Sequence, residues 1–162
     1  MREIKFRAWD GAHLRMFYVV SIIWDEDGTI GELEGHTTTG QSVVLMSKYE
    51  LRLARLLQYT GLKDSTKWEQ LSTKEQSQWI ANSETKESWN GKEIYEGDIV
   101  KYADDISHWD GGYTTPTLVE FDSGSFNPFC GCGGEYAMNV EMAVIIGNIH
   151  ENPELINPVV NQ

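Results

Sequence analysis

The stretch Asn90-Gly91-Lys92-Glu93-Ile94-Tyr95-Glu96-Gly97-Asp98-Ile99-Val100-Lys101-Tyr102 constrains the fold more than any other. Two turn signals, Asn90-Gly91 and Glu96-Gly97-Asp98, enclose a short apolar anchor, Ile94-Tyr95. The second turn runs straight into the alternating Ile99-Val100-Lys101-Tyr102. Asn-Gly is a favoured hairpin dipeptide, and glycine supplies the backbone freedom that a tight reversal needs. Continuous helix is incompatible with such punctuation; a set of short strands is not. Ile94, Ile99 and Val100 read as core, and Glu96 and Asp98 as turn residues flanking Gly97.

The same grammar recurs along the chain. Ile4, Phe6 and Ala8 alternate with Lys5 and Arg7, the period of a half-buried strand. Asp10-Gly11 turns, residues 16–20 return as a second strand extended through 21–24, and Asp25-Glu26-Asp27-Gly28 turns again before 29–33 pair back. Trp9 and Trp24 are expected in the β core, where aromatic rings bury large areas. Residues 34–41 read as loop and 43–46 as a short strand. Residues 47–59 carry two patterns. Ser47 with Glu50 makes a capping box and Leu51, Ala54 and Leu57 sit at helical spacing, yet Leu51 and Leu53 alternate about Arg52 toward Gln58-Tyr59-Thr60-Gly61. We take strand for at least the second half. Later, Leu118-Val119-Glu120-Phe121 is a strand, Asp122-Ser123-Gly124 a hairpin turn, 126–135 irregular, 143–149 a closing strand, and 150–162 a tail.

Residues 65–89 differ in kind. Ser72-Thr73-Lys74-Glu75 is a second capping box, followed by helix formers, and Trp68, Leu71, Trp79, Ile80 and Trp89 supply apolar contacts among polar neighbours. This is a short helical insertion docked by tryptophans. Short strands, frequent Gly and Asp turns and one insertion make a mainly β fold, a small barrel or a sandwich.

Three segments together resemble the YopX family of small phage and prophage proteins. They are Arg2-Glu3-Ile4-Lys5-Phe6-Arg7-Ala8-Trp9-Asp10, then Gln58-Tyr59-Thr60-Gly61-Leu62-Lys63-Asp64 joined to the stretch from Asn90 to Val100, and Ile146-Gly147-Asn148-Ile149-His150-Glu151-Asn152-Pro153-Glu154-Leu155. The resemblance implies a mainly β fold with an SH3-like barrel in its C-terminal part, an origin in a phage or prophage, and a strand before Tyr59. It divides the single domain into an N-terminal β region (1–64), the helical insertion (65–89), an SH3-like part (90–156) and a tail (157–162). In the simplest family members the motifs ending at Asp64 and starting at Asn90 almost abut, so the insertion is a departure. No catalytic residue carries over from the family.

Charge limits the partners. The chain has 13 Lys and Arg against 25 Asp and Glu, a net charge of −12. No basic residue follows Lys101, while Asp104, Asp105, Asp110, Glu120, Asp122, Glu135, Glu141, Glu151 and Glu154 do. Nucleic-acid affinity depends on Lys and Arg neutralising phosphates, so direct nucleic-acid binding is disfavoured. No apolar run is long enough for a membrane span, and the charged N-terminus lacks the apolar core of a signal peptide; a cytoplasmic location is expected. Cys130 and Cys132 then read as reduced thiols.

Motifs for chemistry are sparse. Cys130-Gly131-Cys132 lacks the four-ligand pattern of a structural zinc site, and His13, His36, His108 and His150 show no ligand spacing. Asp25-Glu26-Asp27-Gly28 and Asp104-Asp105 do not continue to the bidentate Glu of a calcium loop. There is no P-loop, dinucleotide fingerprint or nucleophile elbow. No cofactor or metal is expected, and the chain reads as a non-enzymatic protein-interaction module that binds a protein partner or itself. Trp109 and Tyr113, in a polar loop, and Trp68 and Trp79, in the insertion, are the candidate contact residues. The alternative is an acidic modulator of a nucleic-acid-binding host factor, or a nucleic-acid-associated SH3-like regulator.

Overall fold

A computed structural model describes residues 4–102, 115–129 and 137–156, and antiparallel strands dominate it. The chain divides into two compact units, Met1–Tyr59 and Thr60–Gln162.

The first unit contains β1 (Phe6–Asp10), β2 (Arg15–Trp24), β3 (Ile30–His36), β4 (Ser42–Leu45), the helix α1 (Lys48–Leu53) and the start of β5 (Ala54–Lys63). The sheet order is β4-β3-β2-β1-β5. Ala8 pairs with Phe17 on one side and Leu56 on the other, and Leu33 lies between Ile22 and Leu45. These residues form one face, where Ala8, Phe17, Leu33, Val43 and Leu45 are buried and Val19, Ile22, Ile30, Leu51, Ala54 and Leu56 pack around them. A register shift between Val19 and Ser21 leaves Val20 outside the alternation, so both Val19 and Ile22 reach the core although they are three apart.

Both patterns in residues 47–59 are realised, one after the other. Ser47 accepts from the Glu50 backbone while the Glu50 side chain returns to Ser47, starting α1. After Leu53 the chain extends into β5. The expected loop over 34–41 is shorter: Glu34, Gly35 and His36 belong to β3 and pair with both β2 and β4. Gly35 permits this, because a Cβ there would run into the Tyr18 carbonyl and the Phe17 ring. Neither Trp9 nor Trp24 lies in the buried core. Trp9 follows the inward Ala8 and is half-buried; Trp24 sits at the register irregularity after Ile23, at the end of β2, and is 58% exposed.

The second unit holds α2 (Thr73–Ala81), β6 (Glu93–Tyr95), β7 (Asp98–Tyr102), β8 (Thr117–Leu118), β9 (Glu120–Asp122), β10 (Ser125–Asn127) and β11 (Ala143–Asn148). Here β5 runs on past Tyr59 with β6 beside it; β11-β7-β8 form a second sheet and β9-β10 a hairpin. Ile94, Val100, Tyr102, Val119, Phe126, Met138 and Ala143 make the core. Ile94, Ile99 and Val100 are fully buried, as expected, each contributing roughly 1.5–3 kcal/mol of apolar burial.

The single strand expected over residues 118–121 is two strands in different sheets. The break falls at Val119, whose N–H donates to the Asp98 carbonyl and whose carbonyl accepts from Gly97, at 2.8 Å each. The irregular stretch expected from 126 starts later, since Phe126 and Asn127 belong to β10. Gly91 (φ +101°) leads into β6; a Cβ there would strike the Asp64 carbonyl. Among the described residues the sheets are open and do not close into a barrel.

Candidate functional site

Asp10, Asp64, Asp98 and Asn148 are all buried, and hydrogen-bond donors converge on them. Asp64 accepts from the backbone N–H groups of Thr66 (3.0 Å), Lys92 (2.8 Å) and Ile145 (3.0 Å) and from the Thr66 hydroxyl (2.7 Å). One carboxylate thus ties the end of β5 to the entry of β6 and to β11. Asp98 accepts from the Tyr95 N–H (2.8 Å), closing the Glu96-Gly97 turn, and from the Asn148 amide (3.2 Å). Asn148 in turn accepts from the His150 N–H. These groups satisfy backbone donors that would otherwise be buried and unpaired; they brace turns.

Asp10 does the same for the β1–β2 hairpin. It accepts from the Ala12 and His13 N–H groups at 3.1 and 3.2 Å, and His13 Nδ1 and Arg15 Nε lie 2.8 and 3.0 Å from its other oxygen. Burial pushes its carboxyl up, but the hydrogen bonds from His13 and Arg15 outweigh that and hold it below the usual carboxylate range. Among the described residues no group of three or more His, Cys, Asp or Glu is placed to hold a metal.

The expected contact residues divide. Trp109 and Tyr113 lie outside the described residues, as do Cys130, Cys132 and the tail 157–162. Trp68 and Trp79 are half-buried and both meet Trp89 edge-on, with ring centroids 6.2 and 4.9 Å apart. The Trp79 and Trp89 indole N–H groups donate to the Thr85 and Thr66 carbonyls. The tryptophans therefore hold the insertion together. Its helix α2 starts at the expected Ser72 capping box, and Lys92 Nζ sits 2.7 Å from Glu75. Desolvation opposes ionisation of Glu75, but Lys92 and Ser72 dominate and hold its pKa at about 2.

The first unit carries what the sequence reading missed. Val20 (70% exposed), Ile23, Trp24, Val44 and Met46 (64%) lie on β2, on β4 or just beyond, all at the surface. On the face opposite the core, Ile23 is beside Glu32, Glu34 is between Ser21 and Val44, and His36 is between Tyr18 and Ser42. Tyr18 and His36 also meet as rings, 6.3 Å between centroids. One signal pointed here: between Arg15 and Lys48 the sequence has no Lys or Arg but contains Asp25, Glu26, Asp27, Glu32 and Glu34.

A family model described as YopX protein matches residues 5–71 and 73–157. The chain belongs to the YopX family. The YopX match includes all four buried polar braces, so the recognisable motif residues Asp10, Asp64, Asp98 and Asn148 have structural work in this chain. The crystal structure of protein EF1440 from Enterococcus faecalis is similar in fold, with a TM-score of 0.56 at 23% identity, over 96% of this chain and 99% of that one. No curated protein matches. No helix among the described residues is long and apolar enough to cross a membrane.

Proposed function

We propose that this YopX-family chain is a phage- or prophage-encoded protein-interaction module of the host cytoplasm, without enzymatic activity. The observation that carries this reading is the exposed apolar surface of the first unit, where Val20, Ile23, Trp24, Val44 and Met46 stand in water around acidic side chains. Exposed apolar groups rimmed by polar ones are a common mark of interaction sites. The polar residues that could have suggested catalysis are buried and occupied by backbone donors. In the C-terminal part, short strands from two sheets share the cluster around Val100, Val119 and Phe126, which supports an SH3-like reading of that part. Trp109, Tyr113, Trp68 and Trp79 remain secondary contact candidates.

The test is covalent cross-linking in phage-host cells followed by affinity capture, with the wild-type chain beside Trp24→Ser and Ile23→Ser. Specific partners lost in the two variants support the module. A chain that is strictly monomeric by light scattering and captures nothing above background would overturn it. The acidic-modulator reading is the special case in which the captured partner binds nucleic acid; the absence of basic residues across 16–47 favours it over direct nucleic-acid binding.

A further inference from the structure

The β2–β3–β4 meander carries exposed acidic and apolar side chains, and among the described residues its last strand, β4, pairs with β3 alone. β4 is the terminal strand of its sheet, with β3 as its neighbour. Terminal strands normally carry a lysine, a proline or a bulge that blocks further pairing. The four residues Ser42, Val43, Val44 and Leu45 contain no charge and no proline, and their register with β3 is unbroken. Their exposure alternates, with Ser42 and Val44 outward and Val43 and Leu45 in the core. The backbone edge is therefore flat, straight and short, the form that an added strand can continue.

The outer face beside that edge specifies the charge of what is added. Glu34 is the direct neighbour of Val44. Glu32 lies on the same strand and face, two residues away. Partial burial together with the neighbouring Glu34 pushes the Glu32 carboxyl above its usual range. The turn between β2 and β3 adds the acids Asp25, Glu26 and Asp27, and His36 is the one titratable base on β3. Arg7 faces outward two strands away from β3, beside Tyr18.

From the terminal strand to β3 an incoming strand is separated by two strand spacings, roughly 10 Å. An extended Lys or Arg reaching over Val44 meets the Glu34 side chain within that span. A second copy of this chain does not fit: pairing two β4 edges would bring together two surfaces that each carry five acids and no Lys or Arg over residues 16–47. Nucleic acid is repelled for the same reason.

We propose that the β4 edge and the adjoining outer face of β2 and β3 take up an extended segment of a partner protein as an added strand, in which Lys or Arg alternates with small apolar residues. Backbone hydrogen bonds to β4 supply the pairing, the basic side chains pass over Val44 toward Glu34 and Glu32, which select for positive charge, and the alternate small apolar residues fall on the Val43 and Leu45 side. This rests on the interaction-module reading and gives it a surface and a partner chemistry.

The experiment uses the full-length chain and a labelled peptide of about ten residues in which Lys alternates with Val and Thr, with a matched peptide carrying Glu in place of Lys. Fluorescence anisotropy should show binding of the Lys peptide alone, weakening with added salt. Glu32→Lys with Glu34→Lys should lower its affinity about tenfold or more, while hydrogen exchange on the wild-type complex should show new protection of the β4 amides. Val44→Pro should abolish binding; circular dichroism checks its fold, and the charge-reversal pair gives the answer if that variant unfolds. The proposal is overturned if the Lys peptide fails to bind at low salt, if the charge-reversed chain binds it equally, if β4 gains no protection, or if scattering shows a β4-dependent dimer. Cellular capture separates the two levels. A partner retained equally by wild type and the charge-reversed chain overturns this site and leaves the module reading standing; no partner with either overturns both.

Discussion

The buried acids of the second unit and the surface acids of the β2–β4 meander in the first are used in opposite ways. In the second unit Asp64 and Asp98 are turned inward and their oxygens are filled by N–H donors from Lys92, Ile145, Tyr95 and Asn148. In the first, five acids of the β2–β4 meander stay at or near the surface beside exposed Val20, Ile23 and Val44, and Asp10 alone is fully buried. A carboxylate that terminates several backbone donors fixes a fold, because removing it leaves those donors without partners. A carboxylate at the surface costs little to change and is free to meet something else. The dense motifs of this chain mark where it must be tied.

The largest effect should come from Asp64→Ala. It orphans four donors at once, and we expect a loss of about 3 kcal/mol or more in urea denaturation. Glu34→Ala, on the outer face of the first unit, should stay within about 0.5 kcal/mol. Near-equal values would break the comparison. Gly35→Ala comes next, at about 1–3 kcal/mol, since its Cβ meets the Tyr18 carbonyl and the Phe17 ring; a lowered melting temperature with unchanged far-ultraviolet dichroism is the expected reading.

Acid denaturation sharpens the comparison further. The folded Asp10 carboxyl lies below its ordinary value of 3.8, so its stabilisation is fully present above that pH and is lost as pH falls through the folded value. Glu75 behaves likewise between its ordinary 4.5 and about 2, at a partly exposed site where solvent screening makes the effect smaller. Asp10→Asn should flatten the acid limb of the stability curve more than Glu75→Gln. Ser72→Ala, which removes the α2 cap, should cost about 1 kcal/mol in the same denaturation measurement.

Much of this architecture was legible in the residues, for physical reasons that differ by element. Alternation placed β1, β2 and β4 to within a few residues, and the Ser72 capping box located α2, whereas the Ser47 box left α1 open between helix and strand. Gly97 and Asp98 marked their turn, although Asp98 reads as a flanking residue until its bonds to Tyr95 and Asn148 are seen. Three features were not legible. The bulge at Val20 shifts the pleat and leaves that valine outside the core. Trp24 contradicts the rule that aromatics in strands are buried, because it sits at a register irregularity at the end of β2. Val119 ends one strand and precedes another because both of its backbone groups are taken by the Gly97 turn, a pairing across a loop that local pattern does not encode. The candidate surface was not legible for a related reason: the base-free span of 16–47 has five acids and no motif, and only the pleat and register of β2–β4 bring its apolar and acidic side chains to one face.

Amide hydrogen exchange on the intact chain tests the central contrast most directly. Lys92 and Ile145 donate to buried Asp64 and Tyr95 to buried Asp98, whereas Thr29 donates to the exposed Asp27. The account predicts that the first three amides exchange far more slowly than that of Thr29, and that Asp64→Asn speeds Lys92 and Ile145 more than Tyr95. Exchange of Lys92 and Ile145 as fast as Thr29, or indifference to Asp64→Asn, would contradict it.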